Sequence, residues 1–261
     1  MLKVDLTTVT AGAWLTLADL TPTETGPVLV VAPHPDDETL GCGGAIAHLQ
    51  PQREVRVLVI SDGTGSHPRS RQYPPSALQA LRAQETISGL AHLGLPATAV
   101  TFLALPDGAV PLPGTTNGEA AQGRCQDYLA SIRPSVVLLP WRYDPHPDHR
   151  ASAQLILAAL AQLKLQPRIL EYPIWEFDPQ QRGQLPVLEQ FQPWRLDIRA
   201  VLPQKLKAIA AYRSQLTDLI ADDPTGFRLT AEMVAHFTQP WEVYLEAAST
   251  RDRAVSHASP L

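Results

Sequence analysis

The sequence predicts an α/β domain in which a mostly parallel sheet carries helices on both faces, giving three layers. Short apolar, β-branched runs such as Gly26 to Val31 and Val55 to Ile60 recur along the chain. A longer stretch with helical periodicity separates each run from the next. Alternation of this kind is what βαβ units produce, and strands buried on both faces read as continuous apolar runs.

Taken in order, Gly26 to Val31 is a strand, Thr39 to Leu49 a helix, Val55 to Ile60 the next strand and Ser76 to Leu93 a helix. Ala99 to Leu105, a helix ending at Ile132, Val136 to Leu139 and a helix from Arg150 to Leu163 continue the pattern. Beyond Leu163 the periodicity weakens. An extended stretch from Arg168 to Phe177, a helix from Pro203 to Leu216 and a strand from Trp241 to Leu245 are expected there. The 25 prolines cluster in the connections, where a fixed φ and a missing N–H do least harm. A single domain over 1–250 with a loose tail over 251–261 is the expected organisation.

With 44% hydrophobic and 18% charged residues the chain has a core to bury. A net charge of −5 without a Lys/Arg block gives no support to a nucleic-acid groove or a polybasic membrane patch. No apolar run approaches the ~20 residues of a membrane span, and the N-terminus lacks a leader pattern, so no membrane anchor and a cytoplasmic location are expected. Cys42 and Cys125 are read as ordinary buried thiols.

Two segments carry chemistry. Pro33-His34-Pro35-Asp36-Asp37-Glu38-Thr39 follows the first strand directly, with His34 and Asp37 three positions apart so that an imidazole and a carboxylate can converge on one ion, leaving Asp36 free to act as a base. Trp141 to His149 (WRYDPHPDH) follows the fourth strand in the same way. In an open parallel sheet both lie at carboxyl ends of strands, where ligands bind near the reversal of strand order. Singly, each segment is equally an Asp-Pro turn capping a helix. Their recurrence at matching places favours a joint site.

PHPDDE and HPDH at these places resemble the LmbE-like (PIG-L) deacetylase family. Ser61-Asp62-Gly63, Arg82-Ala83-Gln84-Glu85 and Tyr212-Arg213-Ser214-Gln215 are similar to it as well. The resemblance implies a Rossmann-like three-layer sandwich and a metal-dependent hydrolase that removes an acyl, most simply acetyl, group from the amide nitrogen of an amino sugar or its conjugate. It implies that His34, Asp37 and His149 ligate one Zn2+ per chain, that Asp36 is the general base and that His146 faces the developing oxyanion, with Asp144 or Asp148 behind it to hold it charged. Three protein ligands suit an open catalytic site, and such a set also accepts Fe2+ or Co2+. Lowering the pKa of water from 15.7 to about 7 supplies roughly 12 kcal/mol of easier deprotonation. The partner implied is a small-molecule amino sugar, among them a free sugar, a chitooligosaccharide, a thiol-linked glucosamine conjugate, a nucleotide sugar or a lipid-linked sugar. A homo-oligomer is compatible with the resemblance.

Other residues have bland readings beside functional ones. Arg69 and Arg71 are candidates for substrate hydroxyls or a phosphate, Tyr143 and Asp107 for the cleft, and Trp175, Phe177 and Trp194 for stacking on a sugar ring. Thr39 reads as a helix cap, and Gly41, Gly43 and Gly44 as close-packing positions. His48, His67, His92 and His236 read as packed or solvated imidazoles. Two other functions compete. A nucleotide-binding module is suggested by Gly41-Cys42-Gly43-Gly44 with Asp62 about 20 positions on, although the third glycine of that fingerprint is missing. A metal-binding homologue without turnover is the second.

Overall fold

The computed structural model describes residues 13–20, 26–175 and 190–247. The expected tail and Phe177 lie outside them. Eight strands form one sheet: β1 (Ala13–Leu15), β2 (Val28–Ala32), β3 (Val55–Ser61), β4 (Val100–Leu105), β5 (Val136–Pro140), β6 (Arg168–Tyr172), β7 (Phe191–Asp197) and β8 (Trp241–Ala247). Helices α1 (Asp37–Leu49), α2 (Pro75–His92), α3 (Thr116–Ile132), α4 (Pro147–Leu163), α5 (Leu202–Ile209), α6 (Arg213–Leu216) and α7 (Ala231–Phe237) connect them. The strand order is β1-β7-β8-β6-β5-β2-β3-β4, parallel except where β8 runs antiparallel between β6 and β7.

Every residue of β2 and β5 is buried, and alternate side chains feed opposite layers. Val28, Val30, Val136 and Leu138 face the layer that contains Leu40, Ile46, Leu90, Ala208 and Phe237 of α1, α2, α5 and α7. Leu29, Val31, Val137 and Leu139 face Cys125, Leu129, Leu155 and Ile156 of α3 and α4. The three-layer α/β arrangement predicted from the alternation is therefore the observed one.

This order places the site. From β2 the chain moves outward through β3 to β4, then returns to lay β5 against the other edge of β2, with Val28 opposite Val136 and Val30 opposite Leu138. Strand order reverses between β2 and β5. Their carboxyl ends, followed by His34 and His146, open into the crevice that such a switch point creates.

The differences from expectation have local causes. Helix α1 starts at Asp37 and α4 at Pro147, each earlier than Thr39 and Arg150, so the chemistry-bearing segments supply the first turns. Asp36, not Thr39, occupies the N-cap of α1, and Thr39 Oγ1 instead lies 3.0 Å from Tyr212 Oη. The predicted helix from Pro203 to Leu216 is two helices, broken at Tyr212 with ψ 61° so that its ring turns inward. Strand β6 ends at Tyr172, short of the extended stretch expected. The short or mixed-polarity elements β1, β7 and α7 have no counterpart among the elements expected from sequence. No described helix is long and apolar enough to cross a membrane.

The glycines of α1 pack closely, as expected. A Cβ on Gly41 would sit 2.2 Å from the Tyr172 ring, and one on Gly44 2.3 Å from Ile198 Cγ2. Gly41→Ala is expected to destabilise the protein by about 1–3 kcal/mol through overpacking, read as a lowered Tm, whereas Gly123→Ala, where a Cβ meets nothing within 4 Å, is not.

Candidate active site

Three potential ligand atoms from the two segments converge. His34 Nδ1 lies 3.3 Å from Asp37 Oδ2 and 3.3 Å from His149 Nε2, and His149 Nε2 lies 3.2 Å from Asp37 Oδ2. Bonds of about 2.0–2.1 Å to a tetrahedral zinc would set its ligand atoms about 3.3–3.4 Å apart, so this triangle fits one face of such an ion. All three residues are buried. Two other groups of donors lie within 4.8 Å, namely His34 with His146 and His149, and His34 with Asp107 and Asp148. The mixed triangle has the better geometry, because it leaves the second nitrogen of each liganding imidazole to a carboxylate. His34 Nε2 is 3.2 Å from Asp148 Oδ2 and 3.2 Å from Asp107 Oδ1, and His149 Nδ1 is 3.4 Å from Asp144 Oδ2. Carboxylates behind metal-binding histidines fix tautomer and ring orientation. The His149 contact is at ion-pair distance but not aligned as a hydrogen bond.

This arrangement corrects the expected partners of His146. Asp144 does not face that ring. Its carboxylate backs His149 and accepts the N–H groups of His146, Ile174 and Trp175 at 2.9, 3.2 and 3.1 Å. Asp148 backs His34 and accepts the N–H groups of Gly108 and Val110 at 2.7 and 3.1 Å. His146 N-caps α4, its Nδ1 accepting from the Asp148 N–H at 3.2 Å, while its ring stacks on Trp175 with centroids 5.5 Å apart. Burial, reinforced by His149 and His34, pushes His146 down to about 4, so it is neutral, with Nδ1 an acceptor and Nε2 carrying the proton. This environment disfavours the charged imidazole expected.

Asp36 is not free either. Its Oδ2 is 3.1 Å from Arg82 Nη2, which also donates to Pro35 O at 2.6 Å, while Nη1 donates to Gly63 O at 3.1 Å. Burial pushes the Asp36 carboxyl up to about 8; Arg82 opposes this, and Asp37 and Glu38 reinforce it. Its backbone has φ 129° and ψ −29°, a conformation costing of order 1–3 kcal/mol for a residue with a Cβ. Around the triangle the balance differs. Burial disfavours charge on Asp37 and on His149, yet their mutual attraction wins, holding Asp37 well below its usual range and raising His149 to about 9. His34 is raised too, with Asp107, Asp148 and Asp37 outweighing burial. Asp107 falls to about 2, with His34 outweighing burial.

His34, Asp36, Asp37, Asp107 and His146 open on a cavity of about 190 Å3 with Arg82, Ser66 and Gln215. The lining also has an apolar part: Leu40, Ile174, Trp175, Phe227, Leu229 and Met233. Asp107 and Trp175 thus lie where a cleft role requires. Arg69 and Arg71 do not: both are exposed, and their N–H groups donate to Asp223 and Asp222 at 2.8 and 2.7 Å. Tyr143 is 40% exposed, with its ring edge-on to Trp141 and Phe191 outside the cavity. Trp194 donates to Glu246 at 2.8 Å away from the cleft. His67 is buried, His48 lies 3.2 Å from the Asp197 carbonyl and His92 is exposed, matching packed or solvated readings. His236 lines a separate cavity beside Lys205. Cys42 and Cys125 are buried and unbridged.

Sequence reasoning missed Glu38, Phe227, Leu229 and Met233. Glu38 is fully buried; it accepts the Asp36 N–H at 3.2 Å and a hydrogen bond from Tyr212 Oη. Arg82, Glu85, Tyr212 and Ser214 stand out in the sequence without roles, and the structure supplies them. Glu85 accepts from Ser214 N and Oγ at 2.7 and 2.6 Å, which ties α2 to the Tyr212 segment.

Comparison with known proteins finds relatives named as deacetylases. A probable N-acetyl-alpha-D-glucosaminyl L-malate deacetylase 2 of Bacillus subtilis is 26% identical over 202 residues, 75% of this chain and 86% of that one. A diacetylchitobiose deacetylase of Thermococcus kodakarensis is 28% identical, covering 73% of this chain and 70% of its own. The crystal structure of a conserved protein from Thermus thermophilus superposes with a TM-score of 0.55 at 28% identity, covering 73% of this chain and 80% of that one. The PIG-L family, described as GlcNAc-PI de-N-acetylase, matches residues 29–160, just over half of the chain and the span that contains both the His34 and the His149 segments, and the chain belongs to that family.

Proposed function

We propose that this chain is a zinc-dependent N-deacetylase that hydrolyses the acetyl amide of an amino sugar or a small conjugate of one. The observation that carries the reading is the triangle of His34 Nδ1, Asp37 Oδ2 and His149 Nε2, two of whose members, His34 and Asp37, line the same cavity as Asp36 and His146. Relatives named for acetylated glucosamine compounds supply the substrate class.

Held by those three residues, zinc would supply Lewis acidity and a water of pKa near 7 instead of 15.7. The chain's own groups do the rest. Asp36 takes the proton of the attacking water, and its raised affinity for protons keeps it near the working pH, where a base is most effective. Neutral His146 donates its Nε2–H to the oxygen on which charge develops, an interaction of a kind worth about 3–4 kcal/mol. Asp36, then neutral, is the better donor to the departing amine, because His146 takes up a second proton only near pH 4. Trp175 and Phe227, with ring centroids 5.3 Å apart, offer the face on which a sugar ring would lie.

The nucleotide-binding reading loses its footing, because Gly41 and Gly44 face Tyr172 and Ile198 and leave no room for a phosphate. The deciding assay measures amine release from N-acetylglucosamine and its short oligomers by as-isolated, chelated and zinc-restored protein, with bound metal quantified. Chelation is expected to abolish release and zinc to restore it. Bound zinc without release from any acetylated sugar would refute the sugar assignment.

A further inference from the structure

We propose that Glu38 and Tyr212 form a buried clamp that sets the backbone of Asp36, making both positioning residues for the base of the reaction proposed above, on which this inference rests. Asp36 holds a conformation with φ 129° that a residue with a Cβ adopts only under constraint. Two side chains apply it. Arg82 grips the Asp36 carboxylate and the preceding carbonyl, at 3.1 and 2.6 Å. Glu38 Oε2 takes the Asp36 N–H at 3.2 Å, and without that bond the first turn of α1 has a buried donor to satisfy elsewhere.

Glu38 would not hold this position alone. Its other oxygen accepts from Tyr212 Oη and, at 3.3 Å, from Thr39 Oγ1, and the two hydroxyls are 3.0 Å apart. Tyr212 is itself locked. Its ring packs against α2 where Gly89 leaves space, a Cβ there falling 2.9 Å from the hydroxyl. The adjoining Ser214 is pinned by two hydrogen bonds to Glu85. The interruption between α5 and α6 thus has a purpose: it turns Tyr212 inward across 174 positions of sequence to reach Glu38. Neither Glu38 nor Tyr212 lines the cavity, so each acts on Asp36 and not on substrate.

The test compares Glu38→Ala, Glu38→Gln and Tyr212→Phe in the zinc-loaded full-length protein, reading kcat, KM, bound zinc and amide hydrogen exchange at Asp36. Glu38→Ala should lower kcat about 100-fold, the scale of a 1 Å misplacement, with KM and zinc content unchanged and faster exchange of the Asp36 amide. Glu38→Gln keeps an acceptor for that amide and should restore both kcat and slow exchange. Tyr212→Phe, which removes only a hydroxyl, should shift both in the direction of Glu38→Ala even where that variant fails to fold. Glu38→Gln as impaired as Glu38→Ala, or loss that tracks loss of zinc, or unchanged kcat and exchange in Glu38→Ala, would overturn the clamp. Wild-type protein without deacetylase activity would refute the reaction instead, and Asp36 amide exchange in the same variants would still decide the clamp.

Discussion

Asp36→Asn is expected to lower kcat by about 10²–10⁴-fold while leaving KM and bound zinc unchanged. The substitution preserves size and an oxygen acceptor for Arg82 Nη2, now 3.1 Å away, so lost activity reports lost proton transfer and not lost packing. Asp36 is outside the ligand triangle, so metal should remain. Because the reaction needs the charged carboxylate, the wild-type rate should rise with pH through the Asp36 limb and then level, and the Asn variant should lack that limb. Stability should move the other way. A carboxyl raised from 3.8 to about 8 binds its proton more tightly in the folded state, so metal-free wild type loses stability as pH rises across that window. Asn cannot ionise. Thermal melts of chelated protein should therefore favour the variant more at pH 8 than at pH 5. A variant that retains its metal and kcat within a few-fold of wild type would exclude Asp36 as the base.

Such opposing effects on rate and stability are common where a buried charge and a strained backbone are kept for chemistry. They also show how far sequence reading could go. His34, Asp36, Asp37, His146 and His149 were legible because ligand-type residues crowd into short segments at strand ends, where apolar residues would otherwise continue. Strands β2, β3 and β5 were legible because burial on both faces writes an unbroken apolar run. What could not be read were contacts set by tertiary packing. That Asp144 backs His149 and Asp148 backs His34 depends on how α4 enters the crevice, and two carboxylates each two positions from His146 show no such preference in sequence alone. Arg82 and Tyr212 reach Asp36 and Glu38 across 46 and 174 positions. Strand β7, with Pro193, Arg195 and Asp197 among its seven residues, lacks the apolar signal and becomes a strand through pairing with β1 and β8.

His149→Ala should reduce zinc affinity by more than about 100-fold and abolish deacetylation, the larger of the two losses because it removes the ion and its chemistry together. Structural zinc sites are worth about 10–16 kcal/mol over four ligands, so one ligand carries about 3 kcal/mol or more. The partners of His149 are exposed to the consequence: Asp37 and Asp144 are both buried, and each would lose its cationic or metal-bound neighbour. A proton count makes the assignment specific. In the metal-free protein His149 is raised to about 9, so near pH 7 it is charged and must shed a proton before its Nε2 can bind zinc. Zinc uptake at that pH should then release protons, with affinity rising about tenfold per pH unit for each one until the pH passes the folded-state pKa. The same elevation stabilises the chelated protein below the ordinary histidine value of 6.5 and is lost as pH rises through about 9, so its Tm should fall over that interval. Calorimetry in buffers of different ionisation enthalpy counts the protons, and His149→Ala should release one fewer. Unchanged zinc affinity in His149→Ala would dissolve the triangle, and Asp107→Asn would then test the alternative ligand group of His34, Asp107 and Asp148.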